Sequence, residues 1–102
     1  MALISLRQLL DHGAEKDYAV PAFNINNMEQ GLAIMSAASK LSAPVIIQAS
    51  RGARSYASDL ILSKLVEGLA ELSPEVPLCM HQDHGNSPET CMSAIKIGFT
   101  SV

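Results

Sequence analysis

Short apolar runs that alternate with helix-forming patterns constrain the fold of this chain more than any other feature of its sequence. The runs cover residues 18–24, 45–50 and 78–83. The second begins with a valine and two isoleucines, and such a continuous apolar start is typical of a strand in a parallel sheet that is covered on both faces. Strands and helices that alternate at about 30–35 residues per unit indicate parallel βαβ units with right-handed crossovers. The sequence therefore predicts an α/β fold.

Helical patterns lie beside these runs in four places. The first begins after Ser5, with a capping-box glutamine three residues on, and the second begins after Asn27. The third covers residues 58 or 59 to 72, and the fourth follows Ser87 and closes at Gly98. Apolar residues at helical spacing predict the buried faces of the four helices: Leu6, Leu9 and Leu10; Met28, Leu32 and Met35; Ile61, Leu65, Leu69 and Leu72; Cys91, Ala94 and Ile95.

Two architectures fit parallel βαβ units, an open doubly wound sheet and a (β/α)8 barrel, and periodicity does not choose between them. Three strands cannot close a barrel, whose usual length is about 250 residues, and this chain has 102 residues. Residues 99–102 have the pattern of the beginning of another strand. We therefore expect residues 1–102 to be part of a longer domain.

Charge and composition exclude some classes of protein. The formal net charge is -3, which argues against a nucleic-acid binder, although one pocket of an acidic protein can still attract an anionic small molecule. Both cysteines, Cys79 and Cys91, are expected to be reduced and buried. Residues 1–7 do not form a signal peptide, and the apolar stretches are shorter than a bilayer span. We expect a cytoplasmic protein that does not bind membranes.

Polar side chains follow all three strand-like runs. They are Asn24 after the first run, Ser50 and Arg51 after the second, and Asp83 and His84 after the third. Parallel α/β folds place their ligand sites at the carboxyl ends of the strands. Three such groups in register predict a single site at that edge of the sheet.

The Asp83-His84-Gly85 sequence is the most informative of these groups. A carboxylate and an imidazole at a strand end can serve as general acid/base and metal ligand; alternatively, the three residues form only a turn that caps the next helix. His81 and His84 are an odd number of residues apart, so a strand would send them to opposite faces. His81 then either orients Asp83 or is a structural histidine.

Residues 50–54 offer a hydroxyl, a flexible glycine and two cations to an anion, although they match no known phosphate-loop pattern. The alternative is that Arg51 and Arg54 are simply solvated after a turn. Asn24 can bind a substrate hydroxyl or satisfy loop backbone. His12, on the polar side of the first helix, is expected to be solvated.

Residues 18–27, 44–54 and 81–87 resemble successive motifs of class II fructose-bisphosphate aldolases, in the same order and spacing. The resemblance extends over essentially all 102 residues. It implies a (β/α)8 TIM barrel, of which this chain would supply the N-terminal helix and the first three βα units. Residues 48–56 resemble the branch that also uses sedoheptulose 1,7-bisphosphate.

The resemblance also implies roles for individual residues. Asp83 matches the proton donor of the family, His84 its first zinc-binding histidine, and Ser50 a serine that contacts the glyceraldehyde 3-phosphate part of the substrate. Asn24 matches a position near the substrate. The family's remaining metal histidines and main phosphate loops would lie beyond Val102, so residues 1–102 alone are expected to be inactive.

The implied activity is a reversible cleavage of fructose 1,6-bisphosphate into dihydroxyacetone phosphate and glyceraldehyde 3-phosphate. It would use Zn²⁺ or another divalent metal, serve glycolysis, gluconeogenesis or the Calvin cycle, and take place in a homo-oligomer. Two alternatives stay open. One is a tagatose 1,6-bisphosphate aldolase of the same family, although the tagatose branch often departs from the Ser50 motif and that motif therefore favours fructose. The other is a non-catalytic phosphate-binding α/β module.

Overall fold

A three-stranded parallel sheet organises the part of the chain that the computed structural model describes, residues 3–102. The strands are β1 (Ala22–Asn24), β2 (Val45–Ala49) and β3 (Leu78–Gln82), and their order in the sheet is the order of the sequence. Each neighbouring pair is parallel, with helices in the connections. The predicted α/β arrangement of βαβ units is therefore confirmed.

Within residues 3–102, five helices surround the sheet, one more than the sequence predicts. The three predicted N-caps of the first, second and last helices are confirmed, including the capping box at Ser5. The additional helix follows Ser50 directly, in a segment for which the sequence predicts no helix. The helices are α1 (Leu6–Lys16), α2 (Met28–Leu41), α3 (Arg51–Ala57), α4 (Asp59–Leu72) and α5 (Pro88–Lys96).

The first strand is shorter than predicted. It covers three residues, Ala22–Asn24, whereas the apolar run suggested residues 18–24. Residues before the strand are used to reverse the chain after α1: Asp17 adopts a left-handed conformation (φ 58°), and the amide of Tyr18 donates to the carbonyl of Gly13 at 3.0 Å. The second and third strands match the prediction except for their last residue, which leaves the sheet in each case.

Two apolar clusters lie on opposite faces of the sheet. The larger one contains Ile47 and Met80 together with Leu62 of α4, and it fills the space between the sheet and helices α2 to α5. On the other face, Ile46 and Cys79 pack against Leu9 of α1. Successive residues of a strand point to opposite faces, so α1 covers one end of the face that does not carry the main core.

The buried face of α4 differs from the predicted one. Of the predicted residues, Leu69 is buried and Leu65 is half-buried against the core, whereas Ile61 and Leu72 are 59% and 72% exposed. Leu62 and Val66 are buried instead. Apolar residues occupy more than one side of this helix, so the spacing alone allows two registers. The packing partners of the helix decide between them.

A glycine allows α2 and α4 to pack closely against each other. In α2 the buried positions include Gly31, where an added Cβ would lie 2.6 Å from a methyl carbon of Leu69 in α4.

The buried faces predicted for the other helices are only partly confirmed. In α2 the predicted inward residues Met28 and Leu32 are exposed, and only Met35 of that set is buried. Likewise, Leu10 of α1 and Ile95 of α5 are exposed, while Leu9 and Ala94 are buried as predicted.

Both cysteines are free, as predicted, but they differ in burial. Cys79 is fully buried in the sheet, and burial raises the pKa of its thiol, which therefore stays protonated at neutral pH. Cys91 is only half-buried, which corrects the expectation that it lies in the core. Within residues 3–102 no helix is long and apolar enough to span a bilayer.

Candidate active site

A row of polar side chains crosses the sheet near the carboxyl ends of its strands. Asn24 of β1 is in register with Gln48 of β2, and Gln48 is in register with His81 of β3. Residues of one row project from the same face of a parallel sheet. Two positions earlier along β2 and β3, Ile46 and Cys79 face α1. The same face is thus apolar at one end and polar at the other.

Gln48 joins the first strand to the residue that follows the third. Its Nε2 donates to Oδ1 of Asn24 at 2.6 Å and to Oδ2 of Asp83 at 3.3 Å. Gln48 is not among the site residues predicted from the sequence. The sequence does contain a signal for its role, because Gln48 is the one polar residue of the otherwise apolar strand Val45–Ala49.

Asp83 and His84 form a turn directly after β3. Nε2 of His84 lies 3.6 Å from Oδ2 of Asp83, and their side chains are 87% and 23% exposed, respectively. His84 has a φ of 50°, a left-handed conformation that is uncommon for a residue other than glycine. The carboxylate is therefore sheltered at the end of the sheet, while the neighbouring imidazole is open to a ligand.

The alternative interpretation, in which this turn caps α5, is not supported. The N-cap of α5 is Ser87, whose hydroxyl accepts a hydrogen bond from the amide of Thr90 at 3.2 Å. A proline at the first turn and Glu89 complete a favourable helix start. The side chains of Asp83 and His84 are therefore not needed to begin this helix.

Ser50 begins α3 and also borders the site. Its Oγ accepts a hydrogen bond from the amide of Ala53 at 3.1 Å, which leaves the hydroxyl proton available to another acceptor. An open cleft of about 450 Å³ has Ser50 and His84 in its lining, together with the exposed Arg51. A larger cavity of about 640 Å³, bordered by Val66 and Met80 of the main core and by the polar residues Glu67 and Glu71, contacts none of the candidate site residues.

The alternative in which Arg54 is simply solvated is wrong. Only 8% of the residue is exposed, and its guanidinium binds Asp59 through two nitrogens at 2.9 and 3.1 Å. These hydrogen bonds and the positive charge hold the pKa of the Asp59 carboxyl below its ordinary value. Because α3 is a helix and not a loop, Arg54 faces α4 and α5 and is not a free cation for a substrate.

The two remaining histidines have protein partners. Nδ1 of His81 lies 2.8 Å from the hydroxyl of Ser101, which favours the structural role over the orientation of Asp83. His12 is exposed, as predicted, but it also contacts the hydroxyl of Tyr18 at 2.7 Å.

One residue of the candidate site, His84, is suited to bind a metal ion. The exposed imidazole of His84 is a suitable ligand for zinc, and a catalytic zinc ion requires three protein ligands. In the described range, from residue 3 to residue 102, no group of three or more histidine, cysteine, aspartate or glutamate side chains is arranged to hold a metal. His84 is therefore suited to serve as one ligand among several.

Curated relatives match this chain over its whole length. Fructose-bisphosphate aldolase 2 of Cereibacter sphaeroides is 74% identical over 102 residues, which is 100% of this chain and 29% of the relative. A fructose-bisphosphate aldolase of Rhizobium meliloti is 68% identical and is covered to 28%, and one of Synechocystis is 62% identical and is also covered to 28%. The chain thus spans less than a third of the length of these relatives.

Solved structures show the same arrangement of elements. The YdjI aldolase of Escherichia coli superposes with a TM-score of 0.85 at 30% identity, over 95% of this chain and 37% of that one. A fructose-bisphosphate aldolase of Campylobacter jejuni gives a TM-score of 0.75 at 26% identity, over 94% of this chain and 32% of that one. These likenesses confirm the predicted fold class, with an N-terminal helix followed by three βα units of a (β/α)8 barrel. The family profile described as fructose-bisphosphate aldolase class-II matches residues 4–102, and the chain belongs to that family.

Proposed function

We propose that this chain supplies the acid/base, one metal ligand and part of the substrate site of an enzyme that reversibly cleaves fructose 1,6-bisphosphate into dihydroxyacetone phosphate and glyceraldehyde 3-phosphate. The observation that carries the proposal is the hydrogen-bonded line Asn24–Gln48–Asp83 beside the exposed His84 at the carboxyl ends of three strands. In a chain of this family, such a group brings an acid/base next to a metal ligand.

Asp83 acts on the proton of the C4 hydroxyl. Cleavage of the C3–C4 bond converts C4 into an aldehyde carbon, so its hydroxyl must lose a proton as the bond breaks. Asp83 accepts this proton during cleavage and returns it to the aldehyde oxygen during condensation. The hydrogen bond from Gln48 to Oδ2 fixes the direction of the carboxylate and leaves its other oxygen for the substrate.

His84 acts as one ligand of a divalent metal, most suitably zinc. When bound, the metal supplies a Lewis acid for the negative charge that develops on the ketone half of the substrate. His84 contributes a neutral imidazole, and its exposed position at a turn lets ligands from other parts of a complete barrel approach it. No lysine Schiff base is needed.

Ser50 and Asn24 bind the substrate. The hydroxyl of Ser50 donates to an oxygen of the glyceraldehyde 3-phosphate part in the cleft that it shares with His84. Oδ1 of Asn24 accepts from Gln48, so the amide group of Asn24 is turned with its NH₂ away from Gln48 and free to donate to a substrate hydroxyl.

We also propose four properties that rest only on the resemblance of the sequence motifs to those of the family. They are the use of sedoheptulose 1,7-bisphosphate as a second substrate, a place in glycolysis, gluconeogenesis or the Calvin cycle, a cytoplasmic location, and assembly as a homo-oligomer.

The proposal can be tested in a chimaera in which residues 1–102 replace the matching segment of the full-length Cereibacter sphaeroides relative. Coupled assays would compare fructose 1,6-, tagatose 1,6- and sedoheptulose 1,7-bisphosphate, and elemental analysis would measure bound zinc. We expect turnover with the highest kcat/KM for fructose 1,6-bisphosphate and stoichiometric zinc. A higher kcat/KM for the tagatose sugar would favour the tagatose alternative, and a folded chimaera that binds sugar phosphates without turnover would favour the non-catalytic module.

Ser50→Ala in the chimaera is expected to raise KM while zinc content stays unchanged. A hydrogen bond to a charged phosphate is worth about 1.5–3 kcal/mol, which corresponds to a rise in KM of roughly 10- to 150-fold at most. Steady-state kinetics and elemental analysis would measure both quantities.

Ser50 also caps α3, so a matched control is required. Ser5 caps α1 with a similar extended backbone, and its Oγ accepts a hydrogen bond from the amide of Gln8 at 3.2 Å. Ser5→Ala should lower stability by about 0.5–2 kcal/mol, as expected for a lost N-cap, without a change in KM. An equal rise in KM for the two variants would mean that Ser50 acts only as a helix cap.

A further inference from the structure

We infer that Arg54 is a positioning residue, which acts through Gln82 to hold the turn that carries Asp83 and His84. The inference rests on the roles proposed above for those two residues. Arg54 does not contact substrate in this arrangement, because its nitrogens bind protein groups and its side chain is only 9% exposed.

Gln82 is the link between the arginine and the turn. It is the last residue of β3, is 2% exposed, and receives a hydrogen bond on Oε1 from Nη1 of Arg54 at 2.8 Å. Its Nε2 donates to two carbonyl oxygens, that of Ala49 at 3.2 Å and that of Asp83 at 2.8 Å. The side-chain hydrogen bonds of Gln82 thus join Arg54 to main-chain carbonyls at the ends of β2 and β3.

Arg54 determines which way the amide of Gln82 faces. A guanidinium has only donors, so the atom that meets it must be the amide oxygen. The NH₂ group must then face the carbonyls of Ala49 and Asp83. In the reverse orientation the NH₂ would meet a cation and the oxygen would meet two other oxygens, which leaves every contact unfavourable in a buried place.

The turn is held through the main chain of Asp83. Its amide donates to the carbonyl of Ala49 at 3.0 Å, and its carbonyl is the acceptor of Gln82. Both polar main-chain groups of Asp83 are therefore fixed, and the peptide that leads into His84 has a set orientation. His84 follows with a φ of 50°, a conformation that other L residues rarely adopt without support from their surroundings.

Other groups fix the guanidinium itself. Asp59 of α4 neutralises its charge, and the hydroxyl of Ser93 and the carbonyl of Thr90, both in α5, accept hydrogen bonds at 2.9 and 3.3 Å. The ring of Phe99 lies 5.7 Å from the guanidinium carbon. Arg54 therefore connects Gln82, before the turn, with α5, after it.

The most direct test is Gln82→Glu in the chimaera. The new side chain has nearly the same shape and keeps an acceptor for Arg54, but it places an oxygen against the two carbonyls. We expect kcat and the affinity of the metal-free protein for zinc each to fall about 10- to 100-fold, as for other residues that orient metal ligands. KM should change less than kcat, because the N-cap hydrogen bond between Ser50 and the amide of Ala53 does not involve Gln82. Zinc affinity would be measured by competition with a chelator.

Arg54→Met and Asp59→Asn form the matched pair that separates positioning from stability. Arg54→Met removes the donor to Gln82 and should lower kcat and zinc affinity like Gln82→Glu. Asp59→Asn removes the ion pair but leaves the contact between Arg54 and Gln82, so it should lower Tm with kcat and zinc affinity preserved.

The two proposals fail in different ways. If Asp83→Ala in the chimaera kept full cleavage, the proposed function would be wrong, and this inference with it. If Asp83→Ala were inactive but Gln82→Glu kept the kcat and zinc affinity of the unsubstituted chimaera, only the inference on Arg54 would be overturned. It would also be overturned if Asp59→Asn reduced kcat and zinc affinity as much as Gln82→Glu.

Discussion

Replacing Asp83 with alanine in the chimaera is expected to slow the cleavage of fructose 1,6-bisphosphate about 10²- to 10⁴-fold, the usual contribution of a general acid/base. Zinc content should stay at the level of the unsubstituted chimaera. Exchange of the dihydroxyacetone phosphate proton with solvent should persist to a much greater degree, because this step does not involve the C4 oxygen. A coupled assay would follow cleavage, and proton NMR in D2O would follow exchange.

Asp83→Asn is the control for the shape of the site. The asparagine can keep the hydrogen bond from Gln48, which Asp83 accepts at 3.3 Å, but it cannot take up a proton at this position. We therefore expect it to lose cleavage to a similar degree as the alanine variant. If either variant lost proton exchange as completely as cleavage while it retained its zinc, the role assigned to Asp83 would be incorrect.

Replacing His84 with alanine is expected to abolish both cleavage and proton exchange. The imidazole is proposed as one of three protein ligands, so its loss should strongly reduce bound zinc. Both reactions require a group that accepts the charge developing on the ketone half of the substrate, and both should stop when the metal is lost. The same two assays, with elemental analysis of zinc, would measure the outcome.

Two further variants control for the turn and for histidine chemistry. His84→Asn keeps a residue type that tolerates a left-handed conformation such as the φ of 50° found here, and it should still lose zinc. His81→Ala removes a histidine whose partner is Ser101, and it should retain zinc. Full zinc occupancy and activity in His84→Ala would contradict the assignment of His84 as a ligand.

Features that depend on neighbouring residues followed from the sequence alone. The N-caps at Ser5, Asn27 and Ser87 are confirmed because a cap needs only its own side chain and the amides of the next turn. The alternation of strands and helices is also a local pattern, and it predicted the parallel sheet. Parallel strands end at one edge, so this pattern also predicted that Asn24 and Asp83 lie at the same end of the sheet. There Gln48 links them by hydrogen bonds.

Features that depend on distant partners were decided only by the tertiary structure. The buried face of α4 was decided by its packing against the sheet, because Leu62 joins Ile47 and Met80 in the main core while the predicted Ile61 is exposed. Arg54 was assigned as a solvated cation because Gln82 and Ser93, which it contacts in addition to the nearby Asp59, lie 28 and 39 residues further along the chain. Local pattern sets where a helix or strand begins and which edge its end reaches. Burial and pairing are set by contacts between elements far apart in sequence, for which a single sequence carries no local signal.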